Sequence, residues 1–185
     1  MTRVSFFQYA QHESHQSWEW IDGVLDLLPP LSEPQRRMQA FLVEQISEFA
    51  EGNQYGLVVP GPFAVRMPEE MGRGREPDVL YVPNAFVETI QENYVNSHGV
   101  AMVVEIADAR SRYRDHVDKF QDYQSAGIPE YWIVDVEDRR AWFYLLQRDN
   151  RYAEIEPDAQ GVYHSTVLQG FTLNVLDLWR QASQA

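Results

Sequence analysis

Two carboxylates stand inside apolar segments, where a charge needs compensation. Asp78 comes directly before the apolar segment VLYVP, and Glu105 lies within the apolar run MVVEIA. Burying a carboxylate is costly unless a cation or hydrogen-bond donors compensate it. If both segments are neighbouring strands, about 4.8 Å apart, the two carboxylates repel each other and a shared divalent cation relieves the repulsion. The sequence therefore predicts a Mg²⁺ site at Asp78 and Glu105.

A purely structural role is the alternative for Asp78. Pro-Asp is an ordinary turn dipeptide and needs no ligand. Glu105 is harder to explain in this way, because the strand period of two places it on one face with Val103 and Ala107. A metal role for Asp78 therefore depends on its lying close to Glu105.

A lysine follows on the next predicted helix. Asp115, Lys119 and Tyr123 recur at intervals of four and share one face. One interpretation is an exposed Asp115–Lys119 ion pair, worth about 0.3–0.5 kcal/mol. In the other, the Lys119 ammonium lies beside the metal, where it orients a water or stabilises the charge of a phosphodiester transition state. Arg73 and Arg75, just ahead of Asp78, are candidates for phosphate contact.

The composition limits the class of protein. A length of 185 residues predicts a single domain over residues 1–185. Fifteen Lys and Arg against 28 Asp and Glu give a net charge of −13, so DNA contact would need a local basic patch. The chain contains no cysteine and no apolar stretch long enough to span a membrane. These features favour a cytoplasmic protein without disulfides or thiolate metal sites.

The elements that would position these residues follow from local patterns. A short helix is predicted near residues 5–11, and Asp22-Gly23 between alternating segments predicts a hairpin. Ser32 is a candidate N-cap for a helix whose apolar stripe ends near residue 52. Strands are predicted on either side of Pro60-Gly61-Pro62 and over PDVLYVP and GVAMVVEIA, the last of them central and buried on both faces.

The second half of the chain repeats this alternation. A helix is predicted over residues 112–125, capped by Ser111, with an apolar stripe through Tyr113, Val117, Phe120 and Gln124. EYWIVDV and RAWFYLL predict a hairpin, followed by weaker strands at 152–155 and 162–168 and a helix near 175–182. The order of elements predicts an α/β class protein of the α+β type, with a mixed sheet packed by helices.

Taken in order, these segments resemble a known family. EPDV with Asp78, VVEIA with Glu105 and the later DHVDKFQDYQSAGIPEYWIVD are similar to the Uma2-like small bacterial restriction endonucleases of the PD-(D/E)xK superfamily. EWIDG at residues 19–23 also matches, so that the resemblance covers about residues 19–176. It implies a restriction-endonuclease-like core, a central mixed β-sheet flanked by helices, with an N-terminal hairpin and a C-terminal strand and helix extension.

The resemblance also implies an activity. It predicts a metal-dependent endodeoxyribonuclease that uses Mg²⁺, with Mn²⁺ as a substitute, acts on DNA and forms a homodimer. Asp78 and Glu105 would hold the metal, and the catalytic lysine would be Lys119. Ala107 stands where the usual ExK lysine would be, and a lysine displaced to the following helix is typical of this branch.

Some positions depart from the family pattern. Asp108-Ala109 replaces a usual Ser-Pro pair, and Gln35 replaces a common histidine. Asp108 either binds metal or indicates weakened cleavage. Glu19 either reaches the metal or pairs with an arginine; with Asp108 and Asp115 it is a supporting candidate.

Two alternatives to a DNA endonuclease stay open. One is a catalytically weak or inactive protein that uses the nuclease fold as a binding module, and the other is a hydrolase of smaller phosphodiesters.

Overall fold

Four α-helices and thirteen strands form the described part of the chain, residues 3–11 and 16–182 of a computed structural model. The helices are α1 (Phe6–Ala10), α2 (Glu33–Gly52), α3 (Phe120–Ser125) and α4 (Val175–Ala182), and a π-helix over Arg114–Lys119 runs directly into α3. Short 3₁₀ turns cover Glu69–Met71, Asn84–Thr89 and Ser97–Gly99. The strands are β1 (Trp18–Ile21), β2 (Val24–Leu27), β3 (Gly56–Pro60), β4 (Ala64–Arg66), β5 (Arg73–Arg75), β6 (Val79–Pro83), β7 (Tyr94–Asn96), β8 (Met102–Ala107), β9 (Glu130–Asp135), β10 (Arg140–Leu146), β11 (Tyr152–Glu154), β12 (Val162–His164) and β13 (Thr172–Asn174).

A six-stranded mixed sheet forms the centre of the fold. Its strand order is β11-β10-β9-β8-β6-β3, and β8 and β9 run parallel while the other neighbours are antiparallel. Every residue of β8 and β9 is buried. This confirms the central strand and the mixed sheet that were predicted from the apolar runs. Among the described residues, no helix is both long enough and apolar enough to cross a bilayer.

The two faces of this sheet are covered by different elements. Met102, Val104 and Ile106 of β8 face one core, which also contains apolar residues of α2 and α4. Val103 and Ala107 face the other core, which is shared with β4, β7 and Tyr123 of α3. Since side chains alternate along a strand, Glu105 belongs to this second face. The face that carries Glu105 is therefore closed by α3 and a second sheet.

That second sheet has the order β2-β1-β5-β4-β7. The predicted hairpin of β1 and β2 turns at Asp22 and Gly23, which have φ angles of 49° and 87°. Positive φ at both central residues is the type I′ geometry that suits a two-residue hairpin. The sequence patterns did not predict β5, β7 or β13, because three-residue strands are too short to show a periodic pattern.

One buried carboxylate ties the C-terminal segment to the central sheet. Glu130, at the start of β9, is fully buried. Its oxygens accept hydrogen bonds from the Trp132 indole (2.7 Å), the Tyr163 hydroxyl (3.0 Å), the Ser165 hydroxyl (3.1 Å) and the Thr166 amide (3.1 Å). These bonds turn the chain after β12 toward β9. For this reason the strand predicted over residues 162–168 ends at His164.

Replacing this carboxylate tests its structural role. We expect Glu130→Ala to lower the free energy of unfolding by about 3 kcal/mol, because several buried donors lose their acceptor together. Urea denaturation measures the change, with Glu154→Ala on exposed β11 as the matched control, expected within about 0.5 kcal/mol of wild type. Equal losses in the two variants would show that Glu130 does not hold the C-terminal segment.

Candidate active site

Asp78 and Glu105 lie next to each other across two paired strands. In the antiparallel β6–β8 register, Val79 is opposite Val104, and the Asp78 amide donates to the Val104 carbonyl at 3.1 Å. Extending this antiparallel register by one residue places Asp78 opposite Glu105, so that both side chains project from the second face of the sheet. The condition that the sequence left open, neighbouring strands, is thus met.

The position of Asp78 is set by close backbone contacts. Its carbonyl accepts from the Gly61 amide at 2.8 Å and from Gln39 Nε2 at 2.9 Å. Its side chain reaches β8, where Oδ2 accepts from the Ile106 amide at 2.6 Å. A Cβ added at Gly61 would lie 2.5 Å from the Pro77 carbonyl oxygen and 3.2 Å from Asp78 Cα. Only glycine allows this approach without displacing the segment.

Lys119 is buried at the centre of the cluster. It is 2% exposed, so the exposed ion pair considered for Asp115 and Lys119 is not what forms. The Lys119 ammonium donates to Glu105 Oε2 at 2.7 Å and lies 3.1 Å from Glu19 Oε1 and 3.9 Å from Asp115 Oδ1. The Tyr123 hydroxyl donates to the other Glu105 oxygen at 2.6 Å. Both oxygens of Glu105 are therefore held from the helix that follows.

That helix buries a polar face. The chain is helical over residues 112–125, and its buried residues are Asp115, Lys119 and Tyr123. Tyr113, expected in the apolar stripe, is 72% exposed, so the predicted stripe is wrong at this residue. The π-helical turn contributes to this difference, because its wider repeat shifts the face that regular helical spacing assigns.

Asp108 begins the turn that leads into this helix. Its carbonyl accepts from the Arg112 amide at 3.0 Å, and its side chain accepts from the amides of Arg110 at 2.9 Å and Ser111 at 3.3 Å. These bonds close the turn over residues 109–111. The helix begins at residue 112, directly after Ser111, whose carbonyl accepts from the Asp115 amide at 3.0 Å, so Ser111 holds the cap position predicted for it. The Asp108 carboxylate also accepts from Arg110 Nη2 at 2.6 Å. Burial opposes the charge, but these bonds keep the pKa of Asp108 below its usual range.

The two arginines ahead of Asp78, predicted to contact phosphate, pair instead with carboxylates of the protein. Arg75 is buried, pairs with Glu19 and donates to Asp122 at 2.6 Å. A phosphate cannot reach this guanidinium in the structure, so the placement does not support the phosphate contact predicted for it. Arg73 donates to Asp22 at 2.7 Å on the hairpin turn. For Glu19, the pairing with an arginine is confirmed, and Glu19 lies beside Lys119 as well.

Negative charge exceeds positive charge in the cluster. Burial raises the pKa of Asp78 to about 6, raises that of Asp115, and raises that of Glu105 well above its usual range, with Lys119 opposing each shift. Burial alone would lower the pKa of Lys119, but Glu105, Glu19 and two further carboxylates raise it. Lys119 therefore stays an ammonium at neutral pH. Burial opposes the charge of Glu19, but Lys119 and Arg75 lower its pKa, whereas Asp78, Glu105 and Asp115 lack sufficient compensation.

This imbalance fits a divalent cation. Carboxylate oxygens are the ligands that Mg²⁺ prefers, and the ion commonly takes one or two of them and keeps several waters. Within the part of the chain that the structure describes, no group of three or more His, Asp or Glu side chains is arranged to hold a metal. Asp78 and Glu105 would therefore hold such an ion together with waters or substrate oxygens.

A cleft of about 340 Å³ leads to these residues. Three segments border it: the loop before α2, the turn between β3 and β4, and the segment from Asp108 into the π-helix. Glu76 also lines it, and burial raises the pKa of that carboxyl to about 7. The cluster thus lies at the floor of a cleft that solvent and substrate can enter.

Several residues of the site were missed as candidates. Gln35 Nε2 donates to the Ile106 carbonyl at 2.6 Å, so Gln35 and Gln39, at i and i+4 of α2, both support the backbone beside Asp78 and Glu105. Tyr123 lies one turn after Lys119, and Arg114 lines the cleft. The four-residue spacing of Gln35 with Gln39, and of Lys119 with Tyr123, places each pair on one helical face. This spacing could have identified Gln35, Gln39 and Tyr123 as site residues. Arg114 showed no signal apart from its place in a basic segment.

Comparisons with known proteins agree with this architecture. The family model Uma2, described as "Putative restriction endonuclease", matches residues 4–176. The chain is also similar to a crystal structure from Anabaena variabilis ATCC 29413, described as "a putative nuclease belonging to DUF820", with 14% identity and a TM-score of 0.78 over 97% of this chain and 99% of that one. At this identity the likeness shows the fold, a mixed sheet flanked by helices. No curated protein matches the chain.

The raised pKa of Asp78 predicts a pH-dependent effect of neutralising it. The pKa of Asp78 is about 6 in the folded state, whereas the pKa of an Asp in an unfolded chain is about 3.9. This carboxyl therefore destabilises the fold as the pH rises from its unfolded pKa through its folded pKa. Asn at this position keeps an oxygen for the Ile106 amide and cannot ionise. In EDTA we expect Asp78→Asn to exceed wild type in unfolding free energy by about 1–3 kcal/mol at pH 8, with little difference at pH 4.

Urea denaturation at both pH values measures this difference. Asp118→Asn, at an exposed position of the π-helix that carries Lys119, is the matched control and should show no pH-dependent change. Added Mg²⁺ should narrow the gap at pH 8, because wild type alone keeps both ligands. A stability difference that does not change with pH would contradict the raised pKa.

The close approach at Gly61 gives a second prediction. Gly61→Ala should move the Pro77-Asp78 segment and lower the free energy of unfolding by roughly 1–3 kcal/mol through overpacking. Gly52→Ala, at the end of α2 where an added Cβ meets nothing within 4 Å, is the matched control and should not destabilise. Thermal unfolding and Mg²⁺ titration calorimetry check both variants. Unchanged stability and Mg²⁺ binding in Gly61→Ala would show that this contact does not position Asp78.

Proposed function

Because the chain belongs to the Uma2 family, described as "Putative restriction endonuclease", we propose that it hydrolyses DNA phosphodiester bonds with Mg²⁺, or Mn²⁺, at Asp78 and Glu105. The observation that carries this proposal is the juxtaposition of the two carboxylates with the buried ammonium of Lys119 at the floor of an open cleft. A divalent ion bound there would polarise the phosphate and lower the pKa of a bound water.

The residues of the chain have distinct roles in this proposal. Asp78 and Glu105 bind the metal, and the Ile106 amide and the Tyr123 hydroxyl orient their oxygens. Lys119 acts as a fixed positive charge, because its raised pKa keeps it protonated. It can hold a water in place or stabilise the charge that develops on the phosphate, and it is a poor proton acceptor.

The supporting residues act through Lys119 and the backbone. Glu19 and Asp115 keep the ammonium charged and fixed, and Arg75 compensates Glu19. Asp108 is committed to the turn ahead of the helix and to Arg110. We therefore propose that Asp108 positions the segment that carries Asp115 and Lys119.

A cleavage assay tests the proposal. Wild type should nick supercoiled plasmid or cut labelled DNA oligonucleotides in Mg²⁺ or Mn²⁺ and show no activity in EDTA. Asp78→Asn and Glu105→Gln should fall to background, and Lys119→Gln should lose on the order of 10²–10³-fold in rate, because it removes a charge aimed at the transition state. Asp118→Asn is the control that should cleave like wild type. Thermal unfolding of each variant separates loss of catalysis from loss of folding.

The remaining outcomes decide between this function and its alternatives. Cleavage of bis(p-nitrophenyl) phosphate without cleavage of DNA would indicate a hydrolase of smaller phosphodiesters. DNA binding without any cleavage, and without Mg²⁺ binding by calorimetry, would indicate a binding module. Equal rates in wild type and Asp78→Asn would place the chemistry elsewhere.

A homodimer belongs to the same proposal. Cutting both strands of a duplex commonly uses two sites related by a two-fold axis, and two-fold dimers are the commonest oligomers. Light scattering coupled to size-exclusion chromatography measures the mass directly. A monomeric mass would remove the dimer from the proposal and leave the site unchanged.

A further inference from the structure

We propose that the cleft takes a single strand of DNA, with phosphates held by Arg114 and Arg110 and with sugars and bases lying on an apolar wall formed by residues 28–31. The inference rests on the proposed function and deepens it by naming the form of the substrate. It also replaces Arg75, which is buried in ion pairs, as the source of phosphate contact.

Arg114 is the basic residue best placed to meet a phosphate. It lines the cleft beside Asp115 and is half-buried. Among residues 3–11 and 16–182, its guanidinium has no hydrogen-bond or salt-bridge partner, whereas Arg75 and Arg112 each pair with carboxylates. A guanidinium with free donors and restricted motion suits the fork-like recognition of phosphate oxygens.

Arg110 supplies a second contact on the same border of the cleft. Its Nε and Nη2 donate to Asp108 at 3.0 and 2.6 Å. This pairing fixes the guanidinium plane and leaves Nη1 without a partner among the described residues. Arg110, in the turn ahead of the helix, and Arg114, in its first turn, both line the cleft. Together they form a short basic strip next to the acidic floor.

A second border of the cleft, the loop before α2, has the opposite character. Residues 28–31, Leu-Pro-Pro-Leu, form an apolar loop between β2 and α2, and all four line the cleft. A cleft with one basic and one apolar border matches a single strand, which presents phosphates along one edge and unpaired base faces along the other. In a duplex, the base faces are already stacked on one another and cannot use such a wall.

Size and charge favour the single strand further. A cleft of about 340 Å³ has the volume of a small-ligand pocket, and Glu105 at its floor is 3% exposed. The scissile phosphate must therefore enter the cleft, which a flexible strand does more easily than a duplex. A duplex also carries about twice the phosphate charge per unit length, so the net charge of −13 opposes it more strongly.

Equilibrium binding tests the inference without any cleavage. Fluorescence anisotropy measures the binding of a fluorescein-labelled DNA strand of 20 nucleotides, and of its blunt duplex, to the protein in EDTA across a series of salt concentrations. We expect the strand to bind roughly tenfold more tightly than the duplex, a difference of about 1.4 kcal/mol. Arg114→Gln should reduce the slope of log K against log salt by about 0.7, the loss of one phosphate contact on a single strand.

Two further variants separate the two borders of the cleft. Leu31→Ser should weaken binding of the strand and leave the salt slope unchanged, because it removes apolar contact alone. Arg148→Gln, in the exposed turn between β10 and β11, is the matched control and should retain both affinity and slope. Circular dichroism confirms that each variant is folded.

Three results would overturn the inference: a duplex that binds as tightly as the strand, equal slopes for Arg114→Gln and Arg148→Gln, or no measurable binding of the strand at low salt. Its failure differs from that of the proposed function. A protein that cleaves DNA in Mg²⁺ but shows any of these results keeps the nuclease function and loses the single-strand site. A protein that binds the strand through Arg114 and cleaves nothing keeps the site and loses the function.

Discussion

The buried ammonium of Lys119 is the contact on which the candidate site depends. It joins Glu19 of the second sheet to Glu105 of the central sheet, and it is carried by the helix that closes the face between them. Removing one partner of a buried ion pair typically costs several kcal/mol, because the other charge stays buried without compensation. The packing of the two sheets and the geometry of the site are therefore maintained by the same cation.

The excess of buried carboxylates lowers the stability of the folded protein. Asp78 and Glu105 have raised pKa values because burial penalises their charged forms and one lysine does not balance them. A core selected for stability alone would place apolar side chains at these positions. Strongly perturbed carboxyls in a cleft are typical of sites that bind a cation or transfer protons, and stability lost at such positions commonly accompanies activity. The same imbalance is what the proposed divalent ion would relieve, together with waters or substrate oxygens.

The helix before β9 shows why hydrophobic periodicity misassigned part of this region. Hydrophobic periodicity identifies the buried face of a helix only where that face is apolar. Here the buried face carries Asp115, Lys119 and Tyr123, which satisfy one another and Glu105, while Tyr113 is exposed. Arg75 was misjudged for a related reason. A basic residue near a predicted active site suggests phosphate contact. Its carboxylate partners, Glu19 of β1 and Asp122 of α3, meet Arg75 only in the tertiary structure.

The sequence by itself determined the longer local elements and singled out the two carboxylates. The period of two placed Glu105 on one face of a buried strand, the Asp22-Gly23 turn specified the hairpin, and the motif order indicated the family. These features depend on neighbouring residues, whose spacing the chain fixes directly. The tertiary structure decided that Lys119 is buried among the carboxylates and that Arg114, not Arg75, faces the cleft. Those contacts join segments far apart in the chain, so they follow from how the sheets pair and pack, which local patterns do not encode.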